Sequence, residues 1–134
     1  MRVLVDTSIW SLSLRRRSRS DAHPPSTAAL ASLVQDGRVA MIGAIRQELL
    51  SGIKEKAQFD RLREHLRAFP DLEITSDDYE EAASFFNRCR AKGIHGSNTD
   101  FLICAVAVRN ELAIFTSDGD FTRFAKVLPI ALYG

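Results

Sequence analysis

The sequence predicts an α/β fold, with helices on both faces of a mostly parallel central sheet of 4–5 short strands. The first observation behind this prediction is that the strand-like segments are continuous apolar runs, as expected of strands buried on both faces. The second is that these runs alternate with segments of helical periodicity, which is the order of elements in a three-layer α/β/α domain. A chain of 134 residues fits one such domain, spanning 1–134.

The N-terminal part of the chain opens with a strand and continues with two helical segments. Its predicted elements, in order, are a strand at 2–6, a short helix from residue 7, a helix at 26–36 and a strand at 39–42. The strands are short apolar runs with β-branched residues, and 26–36 has apolar residues at helical spacing followed by Gly37. The intervening stretch RRRSRSDAHPP has the composition of a loop.

The rest of the chain is mainly helical in pattern. Its predicted elements are helices at 44–54, 56–68 and 76–90, a strand at 72–74, a buried helix at 98–110, and strands at 112–116 and 127–132. The first two helices carry apolar residues on one face, whereas 98–110 is apolar on nearly all sides and is therefore expected in the core. Pro70 and Gly93 mark helix ends, and Pro129 interrupts the last strand.

The composition excludes a largely disordered chain, because 46% of the residues are apolar and 26% are charged. No apolar stretch approaches the length of a membrane span and no secretory leader precedes 2–6, so we expect no membrane association. Cys89 and Cys104 lack the spacing of a zinc site, and Cys104 lies in an apolar run, which favours reduced core thiols. These features together predict a cytoplasmic protein.

Four carboxylates are predicted to converge at one edge of the sheet. Asp6 ends the first strand and Asp118 follows the strand at 112–116, and ligands of such sheets bind at the carboxyl ends of the strands. Asp100 stands at the N-terminus of the buried helix, which must begin near this edge. Glu48 lies about one turn into its helix, on the flank of the apolar stripe. The joint placement of these residues favours a site over four unrelated positions.

Each of these carboxylates also has an ordinary structural explanation. Asp6 could be a turn or helix-cap residue, Glu48 a solvated helix residue, and Asp100 the partner of Ser97 in a capping box. Because clustered carboxylates repel one another, a cluster requires a cation, and an all-oxygen ligand set suits Mg²⁺ or Mn²⁺. Such an ion can activate water and stabilise the charge on a phosphodiester, so the cluster predicts hydrolysis of a nucleic-acid backbone.

The stretch TSDGDF at 116–121 places two aspartates between a strand and a helical segment. Ser117 and Asp120 have the spacing of a capping box, in which Ser117 caps the helix and Asp120 binds back to its backbone. Gly119 permits a tight turn between them. We therefore expect Asp118 to face the site and Asp120 to be mainly structural.

Four motifs together resemble those of the PIN-domain nucleases. They are VDTS at 5–8, RQEL at 46–49, NTDFLICAVA at 98–107 and TSDGDF at 116–121. The resemblance covers the whole chain, and the small size of the chain is most similar to the VapC-type toxins of toxin–antitoxin pairs. It implies a metal-dependent endoribonuclease built on a mostly parallel sheet.

The resemblance also implies a role for each acidic position. The catalytic positions of the family correspond to Asp6, Glu48, Asp100 and Asp118. Of these, the three aspartates would bind Mg²⁺ or Mn²⁺, and the hydroxyl of Thr7 or Ser8 would hold a ligand or a water molecule. The last acidic position of the family varies, so Asp120 remains a further candidate for the metal site.

The same resemblance implies three partners, namely an RNA substrate, a cognate VapB-like antitoxin and a second copy of the chain in a homodimer. Trp10, Leu12 and Leu14 belong to a set of apolar residues that would form the antitoxin groove or the dimer surface, although they equally fit an ordinary core. The basic run from Arg15 to Arg19 either binds RNA phosphates or forms a solvated loop.

Three alternative functions fit the sequence less well. A phosphatase of the haloacid-dehalogenase type needs a second aspartate two residues after the first, where this chain has Ser8. A receiver-like signalling domain needs a phosphoacceptor after a middle strand, but Gly43 follows the strand at 39–42. An inactive PIN-like module that binds RNA or a partner would not need the complete acidic set.

Overall fold

The computed structural model describes residues 1–17 and 25–134, and of residues 15–17 and 25 it describes the backbone alone. The strands are β1 (Val3–Val5), β2 (Val39–Ala40), β3 (Ala113–Phe115) and β4 (Ala131–Leu132). The helices are α1 (Thr7–Arg17), α2 (Pro25–Gln35), α3 (Gly43–Leu50), α4 (Lys56–Leu66), α5 (Ser76–Ala91), α6 (Asn98–Arg109) and α7 (Asp120–Phe124).

The strands form one parallel sheet in the order β2-β1-β3-β4. In the register of the two central strands, Val3 pairs with Ala113 and Val5 with Phe115. All three residues of β1 are fully buried, and successive side chains of a strand point to opposite faces, so both faces of the sheet are covered. The predicted α/β fold with a parallel sheet is confirmed.

The topology brings the ends of β1 and β3 side by side. Asp6 lies one residue beyond the end of β1, and its backbone N–H donates to the carbonyl oxygen of Phe115, the last residue of β3 (2.9 Å). Asp6 and the TSDGDF stretch therefore leave the sheet at the same edge, which is the arrangement that the sequence predicts from the order of its elements.

The helix α6 lies in the core, as predicted. Every residue from Phe101 to Ala107 is buried, and Cys104 is fully buried among them. Burial raises the pKa of the Cys104 thiol strongly, so the thiol stays protonated, and both cysteines are free. No helix in the described part of the chain is long and apolar enough to cross a membrane.

Three predicted elements differ from the structure. The strand at 72–74 is wrong: the chain makes a single parallel bridge between Met41 and Asp71 and then turns into the cap of α5 at Thr75. The last strand is shorter than 127–132, because its first residues close the turn after α7 with hydrogen bonds to Phe124. The first three residues of the predicted loop RRRSRSDAHPP are helical instead, since α1 continues to Arg17.

Helix ends also shift where the sequence gives weaker signals. The predicted helix at 44–54 ends at Leu50, because Ser51 is extended and Gly52 has a φ of 87°. The first turn of α5 is capped by Thr75, the residue immediately before the helix. The N–H of Thr75 donates to Oδ2 of Asp78 (2.8 Å), which ties the buried Asp78 to the start of the helix.

Candidate active site

Asp6 is the buried carboxylate of the site, and its side chain is oriented by two hydroxyl groups. It is 6% exposed, and its Oδ2 accepts hydrogen bonds from Oγ of Ser8 and Oγ1 of Thr116, both at 2.8 Å. The two hydroxyl oxygens lie 3.2 Å apart. Within the described part of the chain, Oδ1 of Asp6 accepts no hydrogen bond. One oxygen is thus fixed by the protein and the other remains for a ligand.

Asp100 is half-buried in the first turn of α6 and makes the predicted capping box. Its N–H donates to Oγ of Ser97 and its Oδ2 accepts from the N–H of Ser97, both at 3.1 Å. Burial is the main cause that raises the pKa of the Asp100 carboxyl above its ordinary value, and the hydrogen bonds from Ser97 oppose the rise. The negative charges of Asp118 and Asp6 raise this pKa further. Asp6 and Asp118 therefore both lie close enough to Asp100 to act on its charge.

Asp118 is exposed at the same edge and is held by backbone hydrogen bonds. Its N–H donates to Oγ1 of Thr116 (3.0 Å), and its Oδ1 accepts from the N–H of Asp120 (2.9 Å). The hydroxyl of Thr116 therefore connects the carboxylate of Asp6 to the backbone of Asp118.

The predicted capping box of Ser117 and Asp120 is wrong. The cap position of α7 is Gly119, with no side-chain cap, and it is the carboxylate of Asp118 that binds the N–H at the start of the helix. The N–H of Ser117 instead donates to Oγ of Ser8 (3.0 Å), and Asp120 pairs with Arg123 at 2.7 Å. The hydroxyl of Ser8 thus binds Ser117 through its backbone, and the carboxylate of Asp118 takes the place of the expected cap. The ion pair with Arg123 is consistent with a structural role for Asp120, and its participation in the metal site stays a prediction.

Glu48 joins the site through Thr7. Oγ1 of Thr7 donates to Oε1 of Glu48 (2.9 Å), which connects α3 to the residue next to Asp6. Both residues line a cleft of about 490 Å³, together with Thr99, the neighbour of Asp100. The structure thus brings all four predicted carboxylates to one edge, with Glu48 exposed on the far side of the cleft.

The hydroxyl residues divide their roles in a way that the sequence left open. Thr7 holds Glu48, whereas Ser8 holds Asp6. Thr116, which the sequence pattern left without a role, contacts Asp6 from the end of the neighbouring strand. A polar residue immediately after the buried strand β3 was the signal that could have identified it, because that position lies at the ligand-binding edge of the sheet.

The donor set suits a hard divalent cation. Each of the four carboxylates has one oxygen bound by the chain and one that accepts no hydrogen bond from the described residues. A cation would relieve the repulsion that raises the pKa of Asp100. Among the described residues, however, no three His, Cys, Asp or Glu side chains are arranged as a ligand set for one ion. Direct binding by all three aspartates therefore requires side-chain movement or bridging water.

Two further predictions concern the surface near α1. The side chains of the basic run from Arg15 to Arg19 lie outside the described residues, so a role in RNA binding remains a prediction. Trp10 is 2% exposed and packs edge-on against Phe69 at 5.2 Å, so it belongs to the core rather than to a surface. Leu14 lies in a cleft of about 1040 Å³ with Leu49 and Leu62.

Comparison with protein families gives a match over most of the chain. The model of the PIN domain family matches residues 3–127. The VapC ribonuclease Mb1587 of Mycobacterium bovis is 29% identical over 127 residues, which cover 93% of this chain and 92% of that protein. Ribonuclease VapC11 of Mycobacterium tuberculosis gives the same identity and the same coverage.

Solved structures share the fold at lower identity. FitAcB from Neisseria gonorrhoeae superposes with a TM-score of 0.76 at 20% identity, covering 98% of this chain and 96% of that one. VapBC2 from Rickettsia felis, solved bound to a DNA fragment from their promoter, gives a TM-score of 0.78 at 19% identity, covering 99% and 98% of the two chains. These similarities establish a common fold.

Proposed function

The chain belongs to the PIN domain family, and from this premise we propose that it is an endoribonuclease that hydrolyses RNA phosphodiester bonds as the toxin of a VapBC-like toxin–antitoxin pair. The observation that carries the proposal is the coupling of three aspartates at the sheet edge. Asp6 is buried and fixed by two hydroxyls, and the pKa of Asp100 is raised mainly by burial and further by the charges of Asp118 and Asp6. Such a concentration of negative charge destabilises the fold unless it serves a ligand.

We propose Mg²⁺ or Mn²⁺ as the ion of this site. PIN-domain ribonucleases in general depend on a divalent metal. Asp6, Asp100 and Asp118 would hold the ion through the oxygens that accept no hydrogen bond from the described residues. When bound, the ion supplies a lowered pKa for a bound water and compensating charge at the phosphate.

The chain's own residues position the reaction. Ser8 and Thr116 fix one oxygen of Asp6, and Ser97 fixes one oxygen of Asp100, so both carboxylates are held at the sheet edge before RNA binds. Thr7 holds Oε1 of Glu48 and leaves Oε2 toward solvent, where it can accept a proton from an attacking water molecule. Glu48 is thus the proposed proton acceptor, and the aspartates are the proposed metal-binding groups.

The proposed protein partners are an antitoxin and a second copy of the chain. The cleft lined by Leu14, Leu49, Ile53 and Leu62 between α1, α3 and α4 has the apolar character that a helical antitoxin segment would cover. The solved relatives named VapBC2 and FitAcB support a toxin role. We propose that the protein acts in the cytoplasm, where the buried thiols stay reduced.

The enzymatic proposal is tested by incubating a panel of structured RNAs with the protein and Mg²⁺ or Mn²⁺. The wild type is compared with Asp6→Asn and with Asp36→Asn, which makes the same chemical change at an exposed position after α2. We expect wild type and Asp36→Asn to cut at the same sites and Asp6→Asn to be inactive. If Asp6→Asn cuts as well as the wild type, or if no protein cuts with either metal, an inactive RNA- or partner-binding module becomes the better description.

The toxin proposal needs a separate readout. Expression of the wild type in a bacterial host should arrest growth, whereas Asp6→Asn should not, and co-expression of a small protein encoded beside this chain should restore growth. Growth arrest that persists with Asp6→Asn would show that toxicity does not depend on the proposed catalytic centre.

A further inference from the structure

A second cleft, between α5 and the start of α6, lies next to the candidate active site. It has a volume of about 440 Å³, within the usual range for small-ligand sites. Its lining residues include Tyr79, Phe86, Asn87, Asn98 and Thr99. Thr99 also lines the cleft that contains Glu48, so the two clefts share a wall. A ligand that crosses the active edge can therefore extend into the second cleft.

The side chains of this cleft are those that recognise a nucleobase. Tyr79 is 58% exposed, which makes it one of four large apolar or aromatic side chains exposed in the described part of the chain. Phe86 is held edge-on by Phe101, with ring centroids 5.5 Å apart, so the wall of the cleft is rigid. The amides of Asn87 and Asn98 make no hydrogen bond to other described residues, and their donors and acceptors remain available.

On these observations we propose that the cleft of Tyr79, Asn87 and Asn98 binds one unstacked base of the single-stranded RNA whose backbone crosses the aspartate edge. The proposal rests on the nuclease function proposed above and adds the position at which the enzyme reads sequence. The ring of Tyr79 stacks on the base, and the two amides contact its hydrogen-bonding edge.

Local charge determines which part of the RNA enters the cleft. Glu80 and Glu81 follow Tyr79 in α5, and their negative charges disfavour phosphate groups at this end of the cleft. A base carries no charge and is not repelled in this way. The backbone of the RNA therefore stays on the side of Thr99, toward the catalytic edge, while the base points toward α5.

The experiment measures binding separately from cleavage. Fluorescein-labelled single-stranded hexanucleotides of adenine, cytosine or uracil are titrated by anisotropy into the Asp6→Asn protein with Mg²⁺, at fixed salt concentration. An abasic hexanucleotide has the same charge and no bases. Adding Tyr79→Ala should weaken binding of at least one base-containing RNA roughly 5- to 100-fold and leave the abasic RNA unchanged.

Matched variants separate stacking from general damage to α5. Tyr79→Phe keeps the ring and should retain most of the affinity, and Ser84→Ala, at an exposed position of α5 outside the cleft lining, should leave binding unchanged. Asn87→Ala should change the preference among the three bases. Equal binding by Tyr79→Ala and its parent overturns the proposal, and so does an equal loss for the abasic RNA.

Light scattering identifies the main competing use of this surface. If Tyr79→Ala changes the mass of the particle and lowers binding of all RNAs equally, the cleft is an interface between copies of the chain and the base site is refuted. The nuclease proposal fails separately, when the wild type cuts no RNA. A base-dependent effect of Tyr79→Ala would then still support the cleft as an RNA site.

Discussion

The role of Thr116 gives the sharpest prediction from the structure. Its Oγ1 donates to Oδ2 of Asp6 (2.8 Å) and accepts the N–H of Asp118 (3.0 Å), so one hydroxyl positions two of the proposed metal-binding groups. Thr116→Val removes this hydroxyl and keeps the shape of the side chain. The variant should therefore fold normally and lose catalytic activity.

The expected loss follows from the strength of the bond. A hydrogen bond to a charged group contributes about 1.5–3 kcal/mol, which corresponds to roughly 10- to 150-fold in rate if it is lost in the transition state. Ser8 still donates to the same oxygen of Asp6 at 2.8 Å, so part of the orientation survives. We therefore expect a loss at the lower end, about 10-fold, for Thr116→Val and a much larger loss when Ser8→Ala is added.

The assay is the single-turnover cleavage rate of one RNA at saturating protein and metal. Thr116→Ser keeps the hydroxyl and should retain most of the activity, and Thr122→Val makes the same change at an exposed position of α7. The melting temperatures of all variants are measured in parallel. The positioning role would be refuted if Thr116→Val cleaved RNA at the wild-type rate, or if Thr122→Val lost as much of the cleavage rate as Thr116→Val.

Three further predictions concern stability. A Cβ at Gly96 would lie 2.5 Å from a phenylalanine ring of α7, so Gly96→Ala should lower the melting temperature by about 3–10 °C. Gly119 has open space around it, so Gly119→Ala should leave the melting temperature unchanged. Asp78 is buried and accepts a hydrogen bond from Arg109 at 2.9 Å. In chemical denaturation, Asp78→Ala should therefore lower the free energy of unfolding by about 2–3 kcal/mol, and Asp77→Ala, at the exposed neighbour, by less than about 0.5 kcal/mol. Equal losses would contradict this. Because folding raises the pKa of Asp100, the metal-free protein loses stability as the pH rises through that pKa, and Asp100→Asn should melt higher than the wild type at pH 7 in EDTA, with the difference vanishing in acid. A wild type that melts higher than Asp100→Asn at pH 7 in EDTA would contradict a cost of holding this carboxylate charged in its half-buried position.

The position of the carboxylates could be predicted because each depends on local pattern. Asp6 ends an apolar run and Asp100 begins a helix that is apolar on all sides, so the parallel topology alone brings them to one edge. The capping box of Ser97 and Asp100 could likewise be read from its spacing. Asp100 thus makes the cap and also lies at the edge with Asp6 and Asp118, whereas the sequence offered a cap and a site position as alternatives.

The contacts that cross between distant segments could not be predicted in the same way. Ser117 has the spacing of a cap, but the hydroxyl of Ser8, 109 positions earlier, binds its N–H. The segment 72–74 resembles a strand, yet the single isolated bridge among the described residues joins Met41 to Asp71, just before this segment, and the chain then turns into α5. Both errors arise where tertiary contacts compete with a local signal that is equally consistent with either structure.

If the aspartate edge is a metal-dependent catalytic centre, the rate of RNA cleavage must depend on both the metal and the aspartates. The single-turnover rate of RNA cleavage is measured against Mn²⁺ concentration for the wild type, Asp6→Asn, Asp118→Asn and Asp120→Asn. We expect rates that rise with Mn²⁺, losses of about 100-fold or more for Asp6→Asn and Asp118→Asn, and a small loss for Asp120→Asn, whose carboxylate pairs with Arg123. Cleavage at the wild-type rate by Asp6→Asn, or a rate independent of added metal after treatment with EDTA, would contradict the claim.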